Sequence, residues 1–253
     1  MPIDQPNGQI KMFSTYHLIA YGLFAAFAVL EVLALGRGRV FPRMAGWKIQ
    51  GIAFTALYFS VATYAPLMWD AMLGEHTLLS ASALPFWMQL VGGFLVLQLF
   101  IYIWHRTMHG SDTLWRMFHQ MHHSAERIDI WSAFIFHPLD MIGWAFLGSL
   151  ALVGGFGVSG EAGFWIAVAA TFCGMFQHSN LKTPRWLGYI VTRPESHSAH
   201  HERGIHGRNY GDIPLFDMIF GTFHNPKTFE GEVGFYDGAS KRKFDMLLFR
   251  KVA

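Results

Sequence analysis

His105 and His109 stand four residues apart, and His119, His122 and His123 follow at i, i+3 and i+4. His197, His200 and His201 repeat the same H-x-x-H-H spacing later in the chain, and His178 stands alone between them. Helical geometry brings i and i+4 side chains to one face, so the pair and both triads can each aim their imidazoles in one direction. Nine convergent imidazoles gain nothing from one another, because protonated rings repel and neutral rings compete for donors. A cation removes that conflict. Imidazole suits Fe, Zn, Cu and Ni, and nine ligands divide naturally into four or five for each of two ions. The single cysteine, Cys173, excludes a disulfide framework, a Cys-based zinc site and a Cys-ligated iron–sulfur cluster, so the ligands must be nitrogen and oxygen.

The other histidines carry less weight. His17 and His76 read as structural or interfacial, and His206 and His224 as polar surface residues. His137, followed by Pro138 and by Asp140 three positions on, reads as one of a pair of outer residues that orient a ligand ring by hydrogen bonding. Glu126, Asp129, Glu195 and Glu202 flank the clusters. They either accept from the ligands' second ring nitrogens or merely balance Arg127, Arg193 and Arg203.

The elements that position these groups are apolar. Of 253 residues, 52% are hydrophobic and 14% charged, against about 25% charged in soluble domains, which favours a membrane class. Tyr16–Leu35, Trp47–Trp69 and Phe86–Trp104 each approach the roughly 20 residues that cross a bilayer. Trp131–Val158 and the shorter Phe164–Phe176 follow as a helical hairpin, with Ser159–Gly163 as its tight turn. No cleavage pattern follows the first run, so it reads as an anchor.

Every one of the 19 Lys and Arg residues except Lys11 falls on one side of this arrangement, notably Arg37, Arg39, Arg43, Lys48 and the whole C-terminal region. The excess of basic residues on cytoplasmic loops then places the N-terminus outside and the clustered histidines inside. Lys241–Lys251 reads either as a basic amphipathic segment on the membrane surface or as a solvated helix. The expected architecture is all-α, a polytopic membrane protein of about four to five membrane helices beneath a cytoplasmic, histidine-rich helical cap. It forms one domain, 1–253. Residues 16–104 hold three spans, 105–130 the first histidine cluster, 131–178 the hairpin and 179–253 the region with the last cluster. A formal net charge of only +2, without basic residues interleaved among stacking aromatics, argues against nucleic acid as a partner.

The three histidine motifs resemble those of the fatty acid hydroxylase and sterol desaturase superfamily. So do His137-Pro138-Leu139-Asp140, His178-Ser179-Asn180 and Asn209-Tyr210-Gly211, and the likeness runs from about Leu90 to Gly221. The resemblance implies a diiron centre at the cytoplasmic membrane surface that uses O2 to hydroxylate, or less often desaturate, acyl chains or sterols. It implies His105, His109, His119, His122, His123, His178, His197, His200 and His201 as catalytic metal ligands, with His137, Asp140, Asn180 and Asn209 around them. Some members carry two histidines a turn apart where this chain has His178 and then Lys182, so a water, Asn180 or a carboxylate would complete the shell if nine ligands do not suffice.

A lipid substrate would enter from the bilayer, along a path on which Trp131, Phe134, Phe136, Phe172 and Phe176 are candidate lining residues. The chain has no H-P-G-G haem element, no cysteine set and no G-x-G-x-x-G turn, so electrons would come from a separate reductase, ferredoxin or cytochrome b5-like donor. Zinc competes well for such imidazoles in purified protein. Two rival readings are an acyl desaturase or alkane-type monooxygenase, and a non-enzymatic metal transporter or metal-binding protein. Transport predicts ionisable ligands inside the spans, whereas these clusters sit beyond the span ends.

Overall fold

A computed structural model describes residues 6–33, 41 and 44–253, with side chains from Thr15 onward. Arg37, Arg39, Arg43 and the side chain of Lys11, which enter the orientation expectation, lie outside the described residues. Along the chain come α1 (Pro6–Val32), α2 (Trp47–Tyr64), α3 (Asp70–Glu75), α4 (Phe86–Gly110), α5 (Asp112–Leu114) and α6 (Gln120–His123). They are followed by α7 (Pro138–Ser149), α8 (Gly160–His178), α9 (Pro194–His200), α10 (Leu215–Ile219) and α11 (Lys243–Leu247). No strand occurs among the described residues; an isolated antiparallel bridge joins Glu202 to Val233.

Among the described residues, four segments are long and apolar enough to cross a membrane: Thr15–Val32, Trp47–Met68, Phe86–Gly110 and Pro138–Phe156. The first three follow the expected spans as far as they are described, the expected end of the first at Leu35 lying outside the described residues, and α4 continues past Trp104 so that one helix carries both His105 and His109. The fourth differs. Trp131–His137 belongs to a buried loop opened by the short turn Ile130–Ser132, in which Asp129 and Ser132 cap each other reciprocally. The helix begins at Pro138, where a proline's fixed φ and missing N–H suit the first helical position. It then runs on as the π-helical segment Leu150–Phe156. The hairpin turn also lies earlier than expected. Gly157 takes φ 66° and Ser159 Oγ accepts from Ala162 N–H at 3.3 Å, so Gly160–Gly163 is already the first turn of α8.

Helix α8 packs between α1 and α4, while α7 packs against α2. The core at their junction gathers Phe24 and Phe27 of α1, Phe59 of α2, Phe134 and Phe136 of the loop, and Met175 and Phe176 of α8. Close approach is enforced at Gly51, where a β-carbon would stand 2.5 Å from the carbonyl oxygen of Trp131. Outward, large apolar side chains are bare: Leu18 is 75%, Ile49 74% and Trp87 65% exposed, a surface that only lipid covers favourably.

Candidate metal centre

Four separated stretches of chain deliver the nine histidines. Helix α4 carries His105 and His109, the turn Trp115–His119 and α6 carry His119, His122 and His123, α8 ends in His178, and α9 brings His197 and His200 with His201 directly after it. Their rings meet in two groups. His105, His109, His119, His123 and His200 form one, and His122, His178, His197 and His201 the other; within each group the candidate ligand nitrogens lie within 4.8 Å of one another. All are buried except His109, which is half-buried.

Each H-x-x-H-H motif is divided between the groups. His119 and His123 face the group of five while His122 faces the group of four; His197 and His201 face the four while His200 faces the five. The expectation that each triad shares a single face is therefore corrected. At 100° per residue, i and i+4 differ by 40°, whereas i+3 points about 100° away from i+4. A π-helical turn at Trp115–His119 further shifts the phase of His119. Rings from the two motifs meet between the groups, where His123 and His201 stack with centroids 4.0 Å apart and planes 12° apart.

The hydrogen bonds fix the direction of several rings. His105 Nδ1 lies 2.8 Å from the Tyr210 carbonyl, His119 Nδ1 2.9 Å from Asp140 Oδ2, and His178 Nδ1 2.6 Å from the Gly174 carbonyl. His200 Nδ1 meets the Arg208 carbonyl. Facing carbonyl oxygens, which only accept, the Nδ1 atoms of His105, His178 and His200 carry the hydrogen and their Nε2 atoms are left with a bare lone pair; facing Asp140 in its ionised form, His119 takes the same tautomer. Yet His105 Nε2 and His119 Nε2 stand 3.0 Å apart, and His178 Nε2 stands 3.0 Å from both His122 Nε2 and His197 Nε2. His105 and His119 have no hydrogen to share across that gap, and their lone pairs repel. A cation at an imidazole–metal distance of about 2.0–2.1 Å, with roughly right angles between bonds, would separate its nitrogens by about 3 Å. Both nitrogens of His109 and of His123, and Nε2 of His200, are buried without a hydrogen-bond partner, which fits a metal as the missing partner.

Burial and, after it, neighbouring imidazoles hold His119, His122, His123, His197 and His201 well below the usual imidazole range; for His200 burial and then His105 do the same. The rings are thus in the neutral form that coordinates.

Around them, Asp140 reaches His119, whereas His137, expected to act with it, lies elsewhere. His137 accepts from Leu139 N–H at 3.1 Å, caps α7 and packs against Phe249, with no contact to the nine rings among the described interactions. Asn209, in the left-handed region at φ 52°, acts one step removed: its Nδ2 donates to the carbonyls of Ser196 and His224, clamping α9 beside His197. The Asn180 backbone N–H donates to Glu31 Oε1, which also accepts from Ile130 N–H. The flanking acids balance cations or bind loops. Asp129 pairs with Arg127, Glu195 with Arg193 and Glu202 with Arg208, and Glu126 accepts from Gly238 and Ser240. His206 is half-buried at the edge of the group of five, its ring centroid 6.0 Å from that of His109 and 5.1 Å from that of Trp115. The carbonyls of Gly174, Arg208 and Tyr210 were not foreseen, since a backbone acceptor has no residue signature. Glu31 did leave one, as the acid in the first apolar run.

A family model for fatty acid hydroxylase matches residues 90–222, a stretch that holds all nine histidines. The chain belongs to the fatty acid hydroxylase family. It is also 30% identical over 185 residues to the ornithine lipid hydroxylase OlsE of Rhizobium tropici, covering 72% of this chain and 54% of that relative. The chain thus spans about half the length of the relative. No solved structure matches this member of the fatty acid hydroxylase family.

Proposed function

We propose that this protein is a diiron membrane oxygenase that hydroxylates a C–H bond of a lipid, with O2 as co-substrate. The observation that carries the reading is the 3.0 Å approach of His105 Nε2 and His119 Nε2, each stripped of its hydrogen by an acceptor on its far side. His105, His109, His119, His123 and His200 would hold one ion, and His122, His178, His197 and His201 the other. The group of four leaves a position for a water or another oxygen ligand. Two bound irons supply O2 activation at that place. The sum is one C–H, one O2, two electrons and two protons giving one alcohol and one water.

The chain's own residues orient, shield and guide. Asp140 and the carbonyls of Tyr210, Arg208 and Gly174 keep four rings turned with Nε2 inward. Phe136 stacks on His122 at 4.4 Å and helps exclude water from the group of four. An apolar groove of about 350 Å³ between α1 and α2 is lined by Tyr21, Phe24, Ala28, Val29, Ile52 and Trp131, among others. Trp131 packs on the core that holds Phe134 and Phe136, so apolar groups continue from the groove to His122. This supports entry of an acyl chain past Trp131, with Phe172 and Phe176 on its α8 side. The orientation we adopt puts the histidines on the cytoplasmic side, where a separate one-electron donor, a ferredoxin, reductase or cytochrome b5-like protein, reaches them.

Lipid mass spectrometry of cells with and without the chain tests the reaction. Gain of one oxygen in a membrane lipid is expected. Loss of two hydrogens instead would replace hydroxylation by desaturation, and an unchanged lipid profile with metal uptake would favour a metal-handling protein.

A further inference from the structure

The cap carries an apolar surface that the metal centre does not use. Trp186 and Tyr189, on the short turn Arg185–Tyr189, and Ile219 and Phe220, at the end of α10, are bare; Trp186 is 63% and Ile219 61% exposed. The first segment is tied to the chain just after the second. Asn225 Nδ2 donates to the Arg185 carbonyl at 3.0 Å, Arg185 Nε donates to the Asn225 carbonyl at 3.2 Å, and the rings of Tyr189 and Phe223 lie 5.6 Å apart.

That surface is joined to α4 at a definite height. Phe220 stacks on Tyr102 with centroids 5.2 Å apart and planes 18° apart, and Arg106 donates to the Tyr102 hydroxyl at 2.9 Å. Val91, Leu95 and Ile103 mark the outward face of the same helix. From Phe86 to Arg106 an α-helix climbs about 30 Å, the thickness of the hydrocarbon layer. Arg106 therefore stands where the hydrocarbon ends, its long side chain able to reach headgroups. Phe220 and its neighbours abut α4 one turn inside that boundary. Trp and Tyr favour this depth, and the exposed Lys182 and Arg185 border the patch with positive charge suited to lipid phosphates.

We propose that Trp186, Tyr189, Ile219 and Phe220 form a foot embedded in the headgroup boundary of the leaflet on the histidine side. The cap rests in the lipid there, rather than standing clear of it in water. The foot is tied to the metal centre, since Arg193, the residue before α9, donates from one Nη to Asn225 Oδ1 at 2.7 Å. This inference rests on reading α4 as a membrane span.

Nitroxide labels report the depth directly. In a Cys173→Ala background, Ile219→Cys, Val91→Cys and Glu232→Cys are labelled in full-length protein reconstituted into phosphatidylcholine–phosphatidylglycerol vesicles, and power saturation is compared with oxygen and with a water-soluble nickel chelate. Val91 controls for the span and Glu232 for water. The expected result is a label at 219 relaxed more by oxygen than by nickel, as at 91 and unlike 232. A label at 219 that follows 232 while 91 reports lipid overturns the foot and leaves the span intact. A water-exposed label at 91 overturns the span reading itself. Dipolar broadening between labels at 219 would assign the patch to a second copy and overturn the proposal. Should the cysteine-free background fail to fold, Trp186→Phe in the unaltered chain serves: it is expected to lose a fraction of the fluorescence quenched by lipid brominated near the headgroup, and equal quenching in variant and parent would refute the foot.

Discussion

His119 donates from Nδ1 to Asp140 Oδ2 at 2.9 Å, and the carboxylate thereby turns the opposite nitrogen of the ring toward His105. Acceptors of this kind fix the tautomer and raise ligand basicity, and losing one lowers metal affinity or activity about 10–100-fold. Asp140→Ala is expected to fall in that range, with Asp140→Asn intermediate because the amide oxygen still accepts. Metal titration and turnover on the same preparations check this. Parent-like affinity and turnover in Asp140→Ala would remove Asp140 from the site.

His137→Ala provides the contrast. Its ring caps α7 and faces Phe249, so the variant should unfold more easily by about 1 kcal/mol, in line with loss of a helix cap, while keeping its full metal content. Thermal unfolding in detergent together with metal analysis separates the two effects. Loss of a whole metal equivalent would make His137 a ligand.

The division of each motif between the two groups predicts that His122→Ala and His200→Ala injure different ions. Each single variant should lose one ion preferentially, and the double variant both. Metal stoichiometry with iron or with a spectroscopic substitute such as cobalt measures it. Identical spectra from the two single variants would mean that the groups are not separate sites.

Asp212 accepts from Gln98 and from Gln177, and so links α4 to the end of α8 just before His178. Burial pushes its carboxyl up to about 6 despite those bonds. Because the folded-state value lies above the unfolded one, the native state holds the proton more tightly. Its contribution to stability is full in acid, below about pH 4, and is lost as the pH rises through about 6, a change on the order of 2–3 kcal/mol. Asp212→Asn should remove that component from the pH dependence of the unfolding midpoint. Parallel curves for variant and parent between pH 4 and 7 would contradict it.

Gly51→Ala would bring a β-carbon to within 2.5 Å of the Trp131 carbonyl oxygen, where backbone meets backbone and neither side can swing away. A cost of about 1–3 kcal/mol is expected, as for other overpacked sites. The loop that holds Phe136 over His122 should shift as well. A lower unfolding midpoint with reduced turnover is the expected outcome; an unchanged midpoint would show that α2 can move away.

Much of this protein is legible in its residues. Apolar runs near bilayer length give the spans because in lipid a backbone must satisfy its own polar groups, which leaves the helix as the local solution. Eight of the nine histidines are picked out by their spacing, since a helix converts i, i+3 and i+4 into neighbours, whereas His178 stands alone. Local rules fail where contacts are distant. The start of α7 at Pro138 depends on Trp131 and Phe134 packing into the core beneath the histidines, and the half-burial of His206 depends on Trp115 and His109 packing beside it. Which ring joins which ion was likewise settled in three dimensions, by the phase of a π-helical turn and the crossing of α4, α6, α8 and α9. The acceptors that orient the rings are mostly backbone carbonyls, which every residue possesses. A sequence can therefore name the ligands' side chains while only the folded chain decides which way each imidazole faces.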